Sequence, residues 1–82
     1  MQFIVHFKAN TSADYGLRLV INHPFLRSRP KSVGIYINHS NDKKNIEKAE
    51  LFVPDHLASE VPEFFIGELK ALSPQITDVQ RA

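Results

Sequence analysis

The chain has 82 residues, of which 43% are hydrophobic and 23% charged, and its net charge is +1. These values are typical of a globular protein, and the length predicts a single domain spanning residues 1–82. The absence of cysteine excludes disulfides, thiolate metal sites and cysteine nucleophiles. The N-terminal sequence MQFIVHFK lacks the features of a signal peptide, and no apolar run is long enough to cross a bilayer, so we expect a cytoplasmic protein with no membrane partner.

The charges are unevenly divided along the chain. Residues 1–48 carry eight Lys/Arg and three Asp/Glu, whereas residues 49–82 carry two Lys/Arg and six Asp/Glu. Such an asymmetry can steer a charged partner or a second copy of the chain. It has no such effect where the two halves interleave in the fold.

Three stretches predict strands. Residues 1–8 and residues 33–38 (VGIYIN) alternate apolar and polar side chains, which is typical of half-buried strands. Residues 75–79 (QITDV) predict a last short strand, and residues 80–82 a frayed end.

The segment 13–22 (ADYGLRLVIN) fits either a helix or a strand. Gly16 and the β-branched pair Val20–Ile21 favour a strand, whereas a cap at Thr11 or Ser12 favours a helix. We prefer the helix slightly. Its inner face would hold Ala13, Leu17, Val20, Ile21 and Pro24.

Two later segments differ in how well the sequence defines them. Residues 25–32 (FLRSRPKS) predict a basic connection, and residues 42–53 fit either a short helix or a loop followed by a strand. From Pro62 onwards the sequence predicts a helix, since proline suits a first helical turn. Its inner face would hold Phe65, Leu69 and Leu72, with Glu63, Gly67 and Lys70 opposite. Gly67 costs helix stability, which close packing against a strand or partner would offset.

Two α+β architectures follow, both with an antiparallel sheet and helices on one face. The preferred one is a ferredoxin-like β-α-β-β-α-β sandwich. The alternative is a three-stranded meander followed by two helices. In either case the predicted core is Phe3, Val5, Phe7, Val33, Ile35, Ile37, Phe65, Leu69 and Leu72.

The spacing of the histidines and carboxylates along the sequence gives little support for a catalytic site. The histidines His6, His23, His39 and His56 show no paired metal-ligand spacing and are expected on the surface or rim, so we predict no metal or cofactor site. Asp55 with Glu68-Leu69-Lys70 matches the loose carboxylate and lysine pattern of metal-dependent nucleases, in which carboxylates hold a divalent cation. In those enzymes this pattern lies on a strand rather than on a helix.

Basic residues provide one functional hypothesis. Arg27, Arg29 and Lys31, with Lys43 and Lys44 further along, would suit phosphates if they shared a surface. On the outward face of a neighbouring strand, Tyr36 and His6 would offer rings for base stacking. This supports RNA or DNA binding as an alternative function.

The outward face of the sheet provides the leading hypothesis. The preferred architecture would place Ile4, His6, Tyr36 and Asn38 together there, and Phe52 with them if its segment is a strand. An uncovered apolar and aromatic patch marks an interface. Together with the weak catalytic spacing, this patch and the basic residues Arg27, Arg29, Lys31, Lys43 and Lys44 lead us to expect a small non-enzymatic interaction module. Such a regulator, adaptor or inhibitor would dock on a larger protein or on a second copy of itself. A small metal-dependent nuclease or a dimeric α+β-barrel enzyme is the third alternative.

Overall fold

The computed structural model describes residues 1–28 and 32–82. Its elements follow one another in the order β-α-α-β-β-3₁₀-α-β. They are β1 (Gln2–Phe7), α1 (Ala13–Ile21), α2 (Pro24–Arg27), β2 (Gly34–His39), β3 (Ile46–Phe52), a 3₁₀ helix (Asp55–Glu60), α3 (Phe65–Lys70) and β4 (Ile76–Arg81). None of the helices described is long and apolar enough to span a membrane.

The strands form one four-stranded sheet in the order β2-β3-β1-β4. All three neighbouring pairs are antiparallel. The predicted α+β class with an antiparallel sheet is therefore confirmed. The alternative meander is wrong, because α1 and α2 separate β1 from β2 along the chain.

The core lies between the sheet and the helices. The inner side chains of β1 are buried as their alternation predicts, and Phe65 of α3 is the centre of an aromatic cluster. Its ring meets the rings of Phe3 and Phe25 edge-on, with centroids 5.0 and 5.6 Å apart. Three predicted core residues, Ile35, Ile37 and Leu72, are only partly buried. For the two isoleucines the reason is topological, since β2 is an edge strand.

The segment 13–22 forms helix α1, as preferred. Ser12 is its N-cap, and the Ser12 hydroxyl accepts a hydrogen bond from the Tyr15 N–H at 3.1 Å. Such a cap satisfies one of the free N–H groups of the first turn. Ile21 and Pro24, predicted on the inner face, are exposed instead. The helix ends at Ile21, so its inner face is set by the preceding turns and buries Gly16 and Val20.

Part of the predicted basic connection is helical. Pro24–Arg27 forms α2, which buries Phe25 and Leu26 in the core. His23 caps this turn and is 3% exposed, so its predicted surface position is wrong. Its Nδ1 accepts from the Phe25 N–H at 3.1 Å, which places the ring proton on Nε2, and Nε2 donates to Glu68 at 2.7 Å. This pair connects α2 to α3.

The structure also defines residues 42–53, the start of α3 and the C-terminal strand. Residues 42–53 form a loop and the strand β3 rather than a helix. Helix α3 begins at Phe65, three residues after Pro62, and a 3₁₀ helix occupies 55–60. The predicted frayed end is wrong, since β4 continues to Arg81 and the Ala82 N–H donates to the Gln2 carbonyl at 2.9 Å.

Candidate functional site: the open face of the sheet

None of the helices in residues 1–28 and 32–82 packs on one side of the sheet, and we call this side the open face. It is formed by alternate residues of the four strands, because successive side chains of a strand point to opposite sides. The strand register assigns to it Gln2, Ile4 and His6 of β1, Gly34, Tyr36 and Asn38 of β2, Lys48, Glu50 and Phe52 of β3, and Asp78 and Gln80 of β4. The predicted grouping of Ile4, His6, Tyr36, Asn38 and Phe52 is confirmed.

Two aromatic rings stand out from this face. Tyr36 is 61% exposed and Phe52 is 45% exposed. Phe52 is directly opposite Gly34, whose missing side chain leaves the Phe52 ring beside it; a Cβ at Gly34 would lie 3.6 Å from the Phe52 Cβ. Tyr36 is the diagonal neighbour of Phe52, a separation of roughly 7–8 Å that aromatic side chains can bridge. The two rings therefore flank a shallow apolar strip.

A carboxylate lies beside these rings. Glu50 is opposite Tyr36 on one side and opposite Ile4 on the other. Its Oε1 accepts from the Gln2 side-chain amide, and its Oε2 accepts from the Asn38 side-chain amide, each at 3.0 Å. Each carboxylate oxygen thus has one neutral donor from a flanking strand. The Glu50 side chain is fixed in orientation by these two bonds.

The opposite edge of the open face is polar. His6 Nε2 lies 3.3 Å from the Gln80 amide oxygen. Asp78 is opposite His6 in the register, but its carboxylate pairs with the Lys70 ammonium at 3.3 Å. The hydrogen bond from Lys70 holds the pKa of Asp78 below its usual value. His6 and Asp78 are thus neighbours with separate partners.

The predicted basic residues that the structure describes include contacts at both ends of helix α1. Arg27 donates to the Asn22 carbonyl just past the end of α1, at 3.1 Å. The Lys44 carbonyl accepts from the Ala13 N–H at the start of α1, at 2.9 Å. The nine residues of α1 separate these contacts by roughly 13 Å. Arg29 and Lys31 lie outside the described residues. Arg27 and Lys44 therefore contact opposite ends of α1, and their sharing one binding surface stays a prediction.

The turn that carries Lys43 and Lys44 is well fixed. Asp42 Oδ1 accepts from the Ser40 hydroxyl at 2.7 Å and from the Lys44 N–H at 3.0 Å. These hydrogen bonds, that from Ser40 above all, lower the pKa of Asp42. Lys43 adopts a positive φ of 63°. Both lysines are exposed on this turn, beyond the end of β2.

Two residues of the nuclease pattern have partners outside it. Glu68 is hydrogen-bonded to His23, and Lys70 is paired with Asp78. Leu69 between them is buried in the core. Within residues 1–28 and 32–82, no group of three His, Asp or Glu side chains is placed to hold a metal ion.

A second apolar region lies on the helix side. Phe64 is 70% exposed and borders a cleft of about 390 Å³ that also touches Met1, Ile66 and Arg81. Gly67 faces open space here, because a Cβ built on it would have no atom within 4 Å. The predicted close packing of Gly67 is therefore not found within the described chain.

Sequence reasoning missed Gln2 and Glu50 as members of the site. The available signal was the alternation of Lys48, Glu50 and Phe52, which places all three on one face of a strand. It was ambiguous because the lysines, glutamates and alanine of this segment also suit a helix.

Comparison with known proteins found no family model, no curated protein and no solved structure that matches this chain.

Proposed function

We propose that the protein is a small non-enzymatic interaction module that docks on a larger protein through the open face. The observation that carries this proposal is the pair of exposed rings, Tyr36 and Phe52, beside Ile4 on a sheet face that none of the described helices covers. Apolar and aromatic side chains grouped on an uncovered surface are characteristic of the core of protein interfaces. A regulator, adaptor or inhibitor would act in this way.

The charges near the rings favour a protein over a nucleic acid. Glu50 lies between the two strands that carry Tyr36 and Ile4, and its carboxylate would repel a phosphate backbone. Of the predicted cations that the structure describes, Arg27 contacts one end of α1 and Lys44 contacts the other. RNA or DNA binding is therefore the second candidate, supported by the rings and by Lys48 and His6 on the same face.

Site-specific photo-crosslinking in the cells that naturally produce the protein tests this proposal. The photoreactive residue p-benzoylphenylalanine replaces Tyr36 in one variant and Phe52 in another. We expect both variants to give the same covalent adduct, and mass spectrometry to identify a larger protein in it.

Tyr15 and Phe64 are matched control positions, because both are exposed aromatic residues of the helix layer. We expect no such adduct from either. Adducts that form equally from all four positions, or from Phe64 alone, contradict docking at the open face. An adduct with nucleic acid supports the second candidate, and an adduct with twice the chain mass indicates self-association instead.

A further inference from the structure

The Glu50 carboxylate is held in an orientation that allows it to accept further hydrogen bonds. Its two oxygens each accept one hydrogen bond, from Gln2 and from Asn38. An ionised carboxylate offers about four acceptor positions, so about two remain free. Because both donors come from flanking strands, the carboxylate is held in place without any ligand. A group that binds it meets no cost for ordering this side chain.

Glu50 has no cationic partner among the described residues. Three other carboxylates lie close to a basic side chain or a histidine: Asp14 to Arg18, Asp78 to Lys70, and Glu68 to His23. Asp42, like Glu50, accepts from neutral donors, but it lies on the turn beyond the end of β2 rather than beside the aromatic rings. Glu50 has only the two neutral amides, and no ion pair to it occurs in the described part of the chain. Lys48 is two residues away on the same face, but its register neighbours are Asn38 and His6.

The surroundings of Glu50 select the kind of cation. A guanidinium group is planar, donates two parallel hydrogen bonds to a carboxylate and stacks on aromatic rings. Tyr36 lies directly across from Glu50, and Phe52 is its neighbour two residues along β3. A cation over such rings gains about 0.5–2 kcal/mol in other proteins. A lysine ammonium makes the charge contact but cannot make the bidentate one.

From these observations we infer that the open face binds a protein segment through an arginine side chain, whose guanidinium pairs with Glu50 and lies against Tyr36 and Phe52. This inference rests on the proposed docking function and specifies its partner. The fixed carboxylate orients the guanidinium, and the exposed rings make apolar contacts with the methylene groups of the arginine side chain.

Selection from a random dodecapeptide library displayed on phage tests the inference. The wild-type protein and the Glu50→Gln variant are used as parallel targets. We expect arginine to be enriched at one position of the peptides selected on the wild type, and this enrichment to disappear on Glu50→Gln. Glu63→Gln, which removes an exposed carboxylate from the helix layer, is the matched control and should preserve the enrichment.

The strongest peptide is then synthesised with the arginine replaced by citrulline, which keeps the shape but lacks the charge. We expect affinity to fall about tenfold or more, since hydrogen bonds to charged groups contribute about 1.5–3 kcal/mol. A citrulline peptide that binds equally well overturns the inference, as does a selection without arginine.

The peptides also separate this inference from the proposed function. If the selected peptides lack arginine but bind more weakly to Tyr36→Ala or Phe52→Ala, the docking face is supported and the arginine inference is contradicted. If no selected peptide is affected by either variant, both the inference and the docking face are contradicted. The amide spectrum of each variant must match that of the wild type, so that loss of fold is recognised.

Discussion

The two faces of the sheet share the same strands but differ in how their apolar residues are used. Leu51 and Phe52 are neighbours in β3; Leu51 is fully buried under the helices, whereas Phe52 is 45% exposed on the open face. On the covered face, apolar side chains contact one another and α3. On the open face, apolar rings stand beside a hydrogen-bonded carboxylate.

This difference separates stability from recognition. Burial of apolar area stabilises a fold by roughly 25 cal/mol per Å², so the covered face supplies most of the stability. A half-exposed ring contributes less to stability, since nearly half of its surface stays in water. Side chains of the open face can therefore be changed to test binding while the fold is retained.

The largest difference in the free energy of unfolding is expected between substitutions at two neighbouring residues of β3. Leu51→Ala should lower the free energy of unfolding by about 2–5 kcal/mol, because it leaves a cavity in the core. Phe52→Ala should lower it by about 1 kcal/mol or less, because the ring is half-exposed. Urea denaturation followed by circular dichroism measures both values. Equal losses in the two variants would mean that Phe52 is part of the structural core and would weaken its role in docking.

A pair of glycines extends the comparison to the helix layer. A Cβ at Gly16 would lie 2.7 Å from Ile46 Cγ2 and 3.3 Å from the Phe7 ring, both in the core. We expect Gly16→Ala to destabilise the protein by about 1–2 kcal/mol, since crowding exceeds the gain of about 1 kcal/mol in helix propensity.

Gly67→Ala is the matched control, because Gly67 also lies in a helix but faces open space. It should stabilise the protein by about 0.5–1 kcal/mol through helix propensity alone. Thermal unfolding midpoints of the two variants should move in opposite directions. A stabilising Gly16→Ala would show that α1 lies further from the sheet than described.

The smallest effect is expected at the polar edge of the open face. Lys70 holds the pKa of Asp78 below the usual 3.8. Because the folded pKa is below the unfolded one, this pair stabilises the fold fully above pH 3.8, and its contribution is lost as pH falls through the lowered folded value. Lys70→Met should raise the pKa of Asp78 towards 3.8, as measured by NMR titration of the side-chain carboxyl.

His6→Gln is the control for this prediction. His6 lowers the pKa of Asp78 through a weaker charge effect, so its removal should raise that pKa less than Lys70→Met does. An equal or larger rise in His6→Gln would mean that His6, rather than Lys70, is the main partner of Asp78. That result would place a histidine and carboxylate pair on the open face.

The sequence alone determined the strands with regular alternation and the apolar face of α3. In β1 the period of two is uninterrupted, in β2 it holds from Gly34 to Ile37, and in α3 the spacing of Phe65 and Leu69 allows one buried face only. The outward position of His6 and Tyr36 follows from the same alternation. Local pattern was sufficient here because each of these segments buries a single face.

Tertiary structure decided the rest. Residues 42–53 have helix-forming composition but form β3, because a strand there completes the sheet between β1 and β2. Phe25 is buried where its ring meets that of Phe65 in α3, and Leu26 beside it is also buried; no local period predicts either position. Glu50 joined the site only when β3 was aligned between Gln2 and Asn38, which lie 48 and 12 residues away along the chain. Contacts over such distances depend on strand register. Register is fixed because a slip of one residue would move the apolar side chains of a strand from the covered face to the open face.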